Sequence, residues 1–255
     1  MIDWNSTVAA VWRQRKEYLR PVVQIDPITL DDLLGIDAQK EQLVQNTERF
    51  LSGLPANNAL LWGARGTGKS SMVKAILNAF KSRNLRLIEV DKNDLQYLPD
   101  IVDDIRELPQ RFIIYCDDLS FEAGDSQYKS LKSVLEGSIE MPPQNVLVYA
   151  TSNRRHLLPE RMRDNLDTQL IDGEVHYSDT IEEIISLSDR FGLSLAFYPQ
   201  SAQNYLEIVD RYFQNDCEDR QALHKAALDF AHQRASKSGR TAMQFYRTVA
   251  KISSQ

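Results

Sequence analysis

One short segment of the sequence carries the residue types needed to hold a phosphate group. Residues 63–70 read GARGTGKS and match the pattern G-x-x-x-x-G-K-[ST], between an apolar stretch and a helical one. In this pattern backbone N–H groups wrap the phosphate, the lysine reaches the outer phosphates and the hydroxyl binds magnesium. We predict a nucleotide site made of these residues and the next one: Gly63, Ala64, Arg65, Gly66, Thr67, Gly68, Lys69, Ser70 and Ser71.

Two adjacent carboxylates end a second apolar stretch. Residues 112–116 read FIIYC and are followed by Asp117 and Asp118. A carboxylate in this position lies at the carboxyl edge of a parallel sheet, where it can bind Mg²⁺. We therefore assign Asp117, together with Ser70, to the metal. Asp118 would polarise the attacking water, and Glu122 is an alternative for that role.

A polar tripeptide, Thr151-Ser152-Asn153, ends a third apolar stretch, residues 145–150. If that stretch is a strand beside the one that precedes Asp117, the Asn153 amide can orient the attacking water. The tripeptide alone is an ordinary loop sequence, so this assignment depends on the sheet.

Such a site needs a parallel sheet, and the order of the elements predicts one. Between Gly35 and Tyr198 apolar and helical stretches alternate five times, and the strands are apolar on both faces, which is typical of a sheet covered by helices. The predicted strands are 59–62, 86–90, 111–116, 145–150 and 195–198, and the predicted helices are 38–51, 69–81, 100–107, 127–135 and 180–190. Three helices follow Pro199, at 202–211, 220–235 and 242–252.

The first twenty residues predict a separate amphipathic helix. Its apolar residues recur at helical spacing: Trp4, Val8, Val11, Trp12 and Leu19. We therefore expect an N-terminal helix and linker (1–34), an α/β nucleotide-binding core (35–198) and a small helical lid (199–255). Whether the two tryptophans pack on the core or on a partner stays open at this point.

Taken together, these features resemble an AAA+ ATPase, over about Gly35 to Ile252. Two arginines add to the resemblance: Arg190, in SDRFGL before the last strand, and Arg240, in SGRTA at the start of the last helix. Within the superfamily the chain is most similar to a bacterial group of AAA+ proteins filed as a domain of unknown function. That similarity lies in LLGIDAQKEQLVQNTERFLSGLPANNALLWGARGTGKSS, DDLSFE, LEGSIE, YATSNRRHLLPE and SLSDRFGL.

The resemblance implies a P-loop α/β fold with a five-stranded sheet and a helical lid, hydrolysis of ATP with Mg²⁺, and an oligomer that forms at least when nucleotide is bound. It implies an ATP-driven conformational switch that acts on an unidentified protein partner. It also assigns Asn153 as sensor 1, Arg240 as sensor 2, and Arg190 as an arginine finger that reaches the nucleotide of a neighbouring subunit. The catalytic set is then Lys69, Asp117, Asp118, Asn153, Arg190 and Arg240.

The chain departs from the usual AAA+ pattern at one position. Most members have Asp-Glu at the strand end, and this chain has Asp117-Asp118. Because Asp is one methylene shorter than Glu, its carboxylate lies farther from the attacking water unless the backbone shifts. We therefore expect slow hydrolysis, and an ATP-gated binding scaffold with little or no turnover is the alternative function. A small-molecule kinase would leave Asn153, Arg190 and Arg240 without a shared role.

Two basic segments leave further alternatives open. One is a cluster directly after the sensor-like loop: Arg154, Arg155, Arg161 and Arg163. This cluster could supply the trans arginine instead of Arg190, contact nucleic acid, or be a solvated face. The other is residues 231–255, which contain five Lys or Arg and no acidic residue, so DNA association is a weakly supported alternative.

The composition sets broad limits on function. The 255-residue chain is 42% hydrophobic and 26% charged, ordinary for a globular protein, and its net charge of −6 argues against a uniformly basic nucleic-acid binder. No apolar run approaches the roughly 20 residues of a membrane span, and the N-terminus has no signal-peptide pattern. Cys116 and Cys217 form no paired motif. We expect a cytoplasmic protein that does not act at a membrane.

Overall fold

Seven of the described strands form one mostly parallel sheet. The structure is a computed structural model that describes residues 2–122, 125, 127–137, 139–158, 170–171, 174–175, 179–213 and 219–250. The seven strands of the sheet are β1 (Ala9–Arg13), β2 (Tyr18–Pro21), β3 (Ala59–Gly63), β4 (Leu85–Glu89), β5 (Arg111–Cys116), β6 (Val146–Ser152) and β9 (Leu193–Phe197). A separate antiparallel pair consists of β7 (Leu170–Ile171) and β8 (Glu174–Val175).

The order of the strands brings the predicted site residues to one edge. The order is β2-β1-β4-β5-β6-β3-β9, and every neighbouring pair is parallel except β1 with β2. Because β5, β6 and β3 are adjacent and parallel, their carboxyl ends lie side by side. These are the three strands that precede Asp117, Asn153 and the glycine-rich segment.

Within the described ranges, five helices pack against the sheet, and the apolar residues of the strands explain why. They are α1 (Asp37–Leu51), α2 (Lys69–Phe80), α3 (Leu98–Ile105), α4 (Tyr128–Glu136) and α5 (Asp179–Asp189). In β5, Phe112 and Ile114 belong to one core with α3, α4 and α5, whereas Ile113 and Tyr115 belong to the other with α1 and α2. Both faces of the strand are therefore buried, and the predicted parallel α/β fold is confirmed.

Three further helices form a small bundle with its own core. They are α6 (Ala202–Tyr212), α7 (Arg220–Gln233) and α8 (Gly239–Val249). Each begins at a side-chain cap, because Ser201, Asp219 and Ser238 accept hydrogen bonds from backbone N–H groups of the first turn. Their buried residues include Tyr205 and Phe245, which pack among themselves rather than in the cores of the sheet. We refer to this bundle as the lid.

The predicted N-terminal helix is wrong. Residues 9–21 form a hairpin, β1 and β2, and β1 pairs in parallel with β4. Residues 8–12 read VAAVW, and a continuous apolar run this short suits a buried strand as well as a helix. The free edge of β4 offers backbone hydrogen bonds that decide between them. The sheet consequently has seven strands instead of the expected five, and the first part of the chain is not separate from the core.

The two N-terminal tryptophans, Trp4 and Trp12, are buried in this arrangement. Trp4 and Trp12 are only 6% and 8% exposed. The Trp4 ring meets Phe112 edge to face at 5.0 Å between centroids, and Trp12 lies against Tyr97 at 5.3 Å. Both tryptophans therefore pack on the core of their own chain. In the described ranges, we find no helix with the length and apolar character needed to cross a bilayer.

Candidate functional site

The glycine-rich segment turns sharply between β3 and α2. Gly63 has φ +134°, and a Cβ atom there would lie 1.9 Å from the carbonyl oxygen of Phe197, so no other residue fits without moving the backbone. Gly68, with φ +99°, precedes the first turn of α2, which has no side-chain cap. The N–H groups of that turn are therefore left for an anion, as phosphate binding requires.

Lys69 points back over this loop. Its side chain is largely buried, with the residue 7% exposed, and Nζ donates to the carbonyl oxygens of Gly63 at 2.8 Å and Ala64 at 2.7 Å. A third hydrogen bond joins Nζ to Oδ1 of Asn153 at 3.2 Å. The ammonium group is thus held at the mouth of the loop, where it can offset the charge of phosphate oxygens.

Four of the predicted site residues act on the pKa of Lys69. Burial lowers the pKa of Lys69, and the carboxylates of Asp118 and Asp117 act in the opposite direction. Arg65 and Arg240 lower the pKa further by repulsion. Arg240 comes from the start of α8, so the lid brings a second cation toward the loop.

Asp117 is held by three hydroxyl groups that converge on one of its oxygens. Oδ1 accepts hydrogen bonds from Ser70 at 2.8 Å, Tyr115 at 2.6 Å and Thr151 at 2.5 Å. Burial acts to raise the pKa of Asp117, but the hydrogen bonds from Thr151, Tyr115 and Ser70 outweigh it, so the pKa lies below its usual value. The carboxylate is therefore ionised at neutral pH.

These side chains fit Mg²⁺ that is bound together with phosphate. Ser70 and Asp117 supply the hard oxygen ligands that Mg²⁺ prefers, and one or two protein ligands are enough when phosphate oxygens complete the coordination. Across the part of the chain that the structure describes, no group of three or more His, Cys, Asp or Glu side chains could hold a metal ion. A protein-only metal cage is thus not found in that part, whereas a shared metal–nucleotide site is compatible with it.

Asn153 connects Lys69 to Asp118. Its Nδ2 donates to Oδ1 of Asp118 at 2.5 Å, and its Oδ1 accepts from Lys69. The backbone N–H of Asp118 donates to Thr151 Oγ1 at 2.9 Å, which anchors the turn after β5 to β6. Asp118 has φ +52°, in the left-handed region that Asp and Asn enter more readily than Glu. This backbone conformation is a physical reason for Asp where most AAA+ proteins have Glu.

A polar cavity of about 580 Å³ lies beyond this pair. Its lining includes Asp118 and Asn153 together with further charged side chains: Arg65, Lys92, Glu122, Asp125 and Arg154. Glu122 thus borders the same space as Asp118. Both carboxylates are therefore positioned to accept a proton from the attacking water.

A second cavity, of about 290 Å³, lies between the loop and the lid. Its lining combines the glycine-rich loop and Arg240 with apolar residues of the segment before α1 and of the lid: Ile28, Leu33, Leu34, Ile36, Ile208, Tyr212 and Met243. Apolar walls beside a phosphate loop suit the flat base of a nucleotide. Sequence reasoning missed these residues, because they come from distant segments and share no motif.

The lid touches the loop directly. A Cβ atom on Gly66 would lie 2.7 Å from Cβ of Ser238, the residue that caps α8 through the N–H of Thr241. Glycine at this position therefore permits the close approach of α8. The contact places Arg240, two residues after the cap, at the rim of the second cavity.

Arg190 is not brought to this site. Its Nε donates to Oε1 of Glu136 at the end of α4, and its guanidinium also bonds to Ser186 Oγ on α5. The arginine therefore joins two helices of its own chain, and its role as a trans arginine stays a prediction.

The alternative arginine cluster is divided. Arg154 lines the polar cavity with Asp118, while the guanidinium of Arg155 lies 5.5 Å from the ring centroid of Trp62. Arg161 and Arg163 lie outside the described residues. Of the cluster members that the structure describes, Arg154 is the one that borders the predicted site.

Comparison with known proteins finds one matching family and several similar proteins. A family described as "Protein of unknown function (DUF815)" matches residues 5–252. An uncharacterised protein of Haemophilus influenzae is 23% identical over 168 residues, which cover 66% of this chain and 71% of that protein. A replication factor C large subunit of Ignicoccus hospitalis is 37% identical over 82 residues, 31% of this chain but only 17% of the relative's length.

Solved structures show the same fold. The RuvB Holliday junction branch migration motor of Thermotoga maritima matches with a TM-score of 0.51 at 16% identity, over 88% of this chain and 72% of that chain. A mutant of the same RuvB protein matches with a TM-score of 0.52 at 14% identity, over 88% of this chain and 74% of the other. At this level of identity the likeness establishes an AAA+ fold and says nothing more about activity.

Proposed function

The chain belongs to the DUF815 family, and we propose that this member binds and hydrolyses MgATP as an oligomeric AAA+ switch. The observation that carries the proposal is the meeting of five polar side chains at one edge of the sheet. They come from the ends of two adjacent strands, β5 and β6, and from the start of α2: Lys69, Ser70, Asp117, Asp118 and Asn153. This arrangement combines phosphate binding, metal binding and a proton acceptor within one hydrogen-bonded group.

Each of these residues has a part in the proposed reaction. Lys69 would exchange the carbonyl oxygens of Gly63 and Ala64 for the outer phosphates of ATP. Ser70 and Asp117 would hold Mg²⁺, which when bound would offset phosphate charge. Asp118 would accept a proton from water. Its carboxylate is oriented by Asn153, whose amide also reaches Lys69.

The lid provides the link from nucleotide to conformation. Its residues line the apolar cavity together with the loop, and Arg240 borders that cavity. There it would be attracted to the terminal phosphate. ATP that contacts both the core and the lid stabilises one relative orientation of the two, and loss of the terminal phosphate weakens it. The client of this switch is proposed to be another macromolecule. DNA is one candidate, because the similar proteins include a replication factor C large subunit and a Holliday junction branch migration motor.

Arg190 would complete the site of a neighbouring subunit. In the single chain it is paired with Glu136, so this ion pair must open before the guanidinium can reach another molecule. We propose that assembly in the presence of ATP opens it. Turnover should then depend on protein concentration.

An ATP-gated scaffold is the second candidate function. The observation that favours it is Asp118, a short carboxylate that is engaged by Asn153 in a left-handed turn. A carboxylate so placed supports binding without requiring fast hydrolysis. The two candidates differ in turnover and not in affinity for ATP.

Nucleotide binding and phosphate release, measured over a range of protein concentrations with molar mass from light scattering, test the proposal. We expect Mg²⁺-dependent ATP binding, and specific activity that rises as the protein assembles. Lys69→Ala should lose both ATP binding and turnover. Lys81→Ala replaces a lysine at the other end of α2 and should keep both. Absence of ATP binding in the wild type would contradict the proposal, and binding without turnover at any concentration would favour the scaffold.

A further inference from the structure

Tyr115 takes part in the polar site although it belongs to a core strand. The residue is 2% exposed, and its ring lies in the same apolar cluster as Met72 and Val73 of α2. Its hydroxyl nevertheless reaches the carboxyl edge of the sheet and donates to Oδ1 of Asp117 at 2.6 Å. An apolar residue of similar size would fill the core equally well, so packing does not explain the hydroxyl group.

We propose that Tyr115 is a positioning residue for the magnesium-binding carboxylate. Its rigid ring holds the hydroxyl at a fixed point, and the hydrogen bond sets the orientation of Asp117 before the metal arrives. Partners that orient a metal-binding carboxylate raise metal affinity without touching the metal. The inference rests on the proposed MgATP site and adds a residue to it.

The other two donors to Asp117 cannot take over this role alone. Ser70 is itself a proposed ligand of the metal, so its hydroxyl serves two partners. Thr151 also accepts the N–H of Asp118, so a change there disturbs both carboxylates. Tyr115 is therefore the donor whose removal tests the orientation of Asp117 most directly.

The adjacent strand supplies a matched control. Tyr149 of β6 is the register partner of Tyr115 in the sheet and is 0% exposed. Its hydroxyl bonds with Asn46 at 3.1 Å and with Thr47 at 2.9 Å, both on α1. Tyr115→Phe and Tyr149→Phe thus each remove one buried hydroxyl group. The hydroxyl of Tyr115 bonds to Asp117, whereas the hydroxyl of Tyr149 bonds to α1.

The test is the affinity for a fluorescent ATP analogue, measured with saturating Mg²⁺ and with EDTA. We expect Tyr115→Phe to reduce the gain in affinity that Mg²⁺ provides by about tenfold, with the EDTA value unchanged. Tyr149→Phe should keep the full gain. An undiminished gain in Tyr115→Phe, or an equal loss in Tyr149→Phe, would overturn the inference. A wild-type protein that binds ATP without any effect of Mg²⁺ would overturn both the inference and the proposed site.

The affinity with EDTA covers the case in which Tyr115→Phe is poorly folded, because misfolding would lower that value as well. A double variant then tests whether Tyr115 acts through Asp117. Asp117→Asn should itself abolish most of the gain from Mg²⁺. In that background Tyr149→Phe and Tyr115→Phe should behave alike, because the group that Tyr115 orients is no longer a carboxylate. A further loss of the Mg²⁺ effect on adding Tyr115→Phe to Asp117→Asn would count against a role through Asp117.

Discussion

The site around Lys69 and the region around Arg190 were both predicted to serve the same reaction, and they are held in different ways. Lys69 bonds to its own loop and to Asn153 of a neighbouring strand. Arg190 bonds to Glu136 and Ser186, on helices that lie away from the loop. The contacts of Lys69 lie within the proposed site, whereas the contacts of Arg190 would have to break before it could act on another subunit.

This difference follows from the elements that carry the residues. Parallel strands that are neighbours in a sheet must end side by side, so polar residues after β3, β5 and β6 converge whatever the rest of the chain does. A residue at the end of a helix has no such constraint and pairs with the nearest group of opposite charge. The meeting of Asp117, Asp118 and Asn153 could therefore be predicted from the order of the strands, whereas the contacts of Arg190 could not.

The largest effect on ATP hydrolysis is expected from a change at Arg190, which separates its region from the site around Lys69. If Arg190 acts in trans, Arg190→Ala should lower the rate of ATP hydrolysis by about 10³-fold, because an arginine near the terminal phosphate stabilises the charge of the transition state. Glu136→Gln removes the same ion pair but leaves the arginine, so it should keep or raise the rate. Equal losses of rate and thermal stability in both variants would show that the pair serves only to join α4 and α5.

Within the strand-end site, the next effect concerns the acceptor for water. Asp118→Asn should lower turnover by about 10²-fold while ATP affinity stays within about twofold, because the amide cannot accept a proton. Asn also tolerates the left-handed backbone at this position, so the fold should persist. Glu122→Gln, in the same cavity, is the matched control, measured by phosphate release and equilibrium binding. Undiminished turnover in Asp118→Asn would transfer the role to Glu122 or another group.

A smaller effect is expected at the lid. Arg240→Ala should weaken ATP binding by about tenfold, the size of one charge-assisted hydrogen bond to phosphate. Arg247→Ala, on the same helix, should leave affinity unchanged. The affinity for ADP should change less than that for ATP in Arg240→Ala. An equal change for the two nucleotides would place the arginine away from the terminal phosphate.

The smallest effect is the pH dependence of stability from Asp117. Its pKa in the folded chain lies below the ordinary value of 3.8, so the ionised form stabilises the fold above that pH. This contribution is lost as the pH falls through the folded pKa. The difference in unfolding free energy between wild type and Asp117→Asn should therefore shrink below about pH 4 in urea titrations. A difference that stays constant from pH 3 to pH 7 would contradict the lowered pKa.

The core elements could be predicted because their patterns are local and unambiguous. Strand β5 agrees with the prediction at both ends, and α2 begins at Lys69 as expected. The prediction for the N-terminal segment was wrong because a short run of apolar residues suits either a helix or a strand. Pairing with the edge of β4, more than 70 residues later in the chain, decided the outcome.

The sequence by itself determined the phosphate loop, the two carboxylates, the polar end of β6 and the alternation that makes the sheet parallel. Each of these is set by residue type and spacing within a short segment. The tertiary structure alone decided the hairpin, the apolar cavity under the lid, the hydroxyl of Tyr115 on Asp117 and the pairing of Arg190 with Glu136. All four join segments that are separated along the chain or depend on which face of an element is buried, and such contacts arise only when the elements pack.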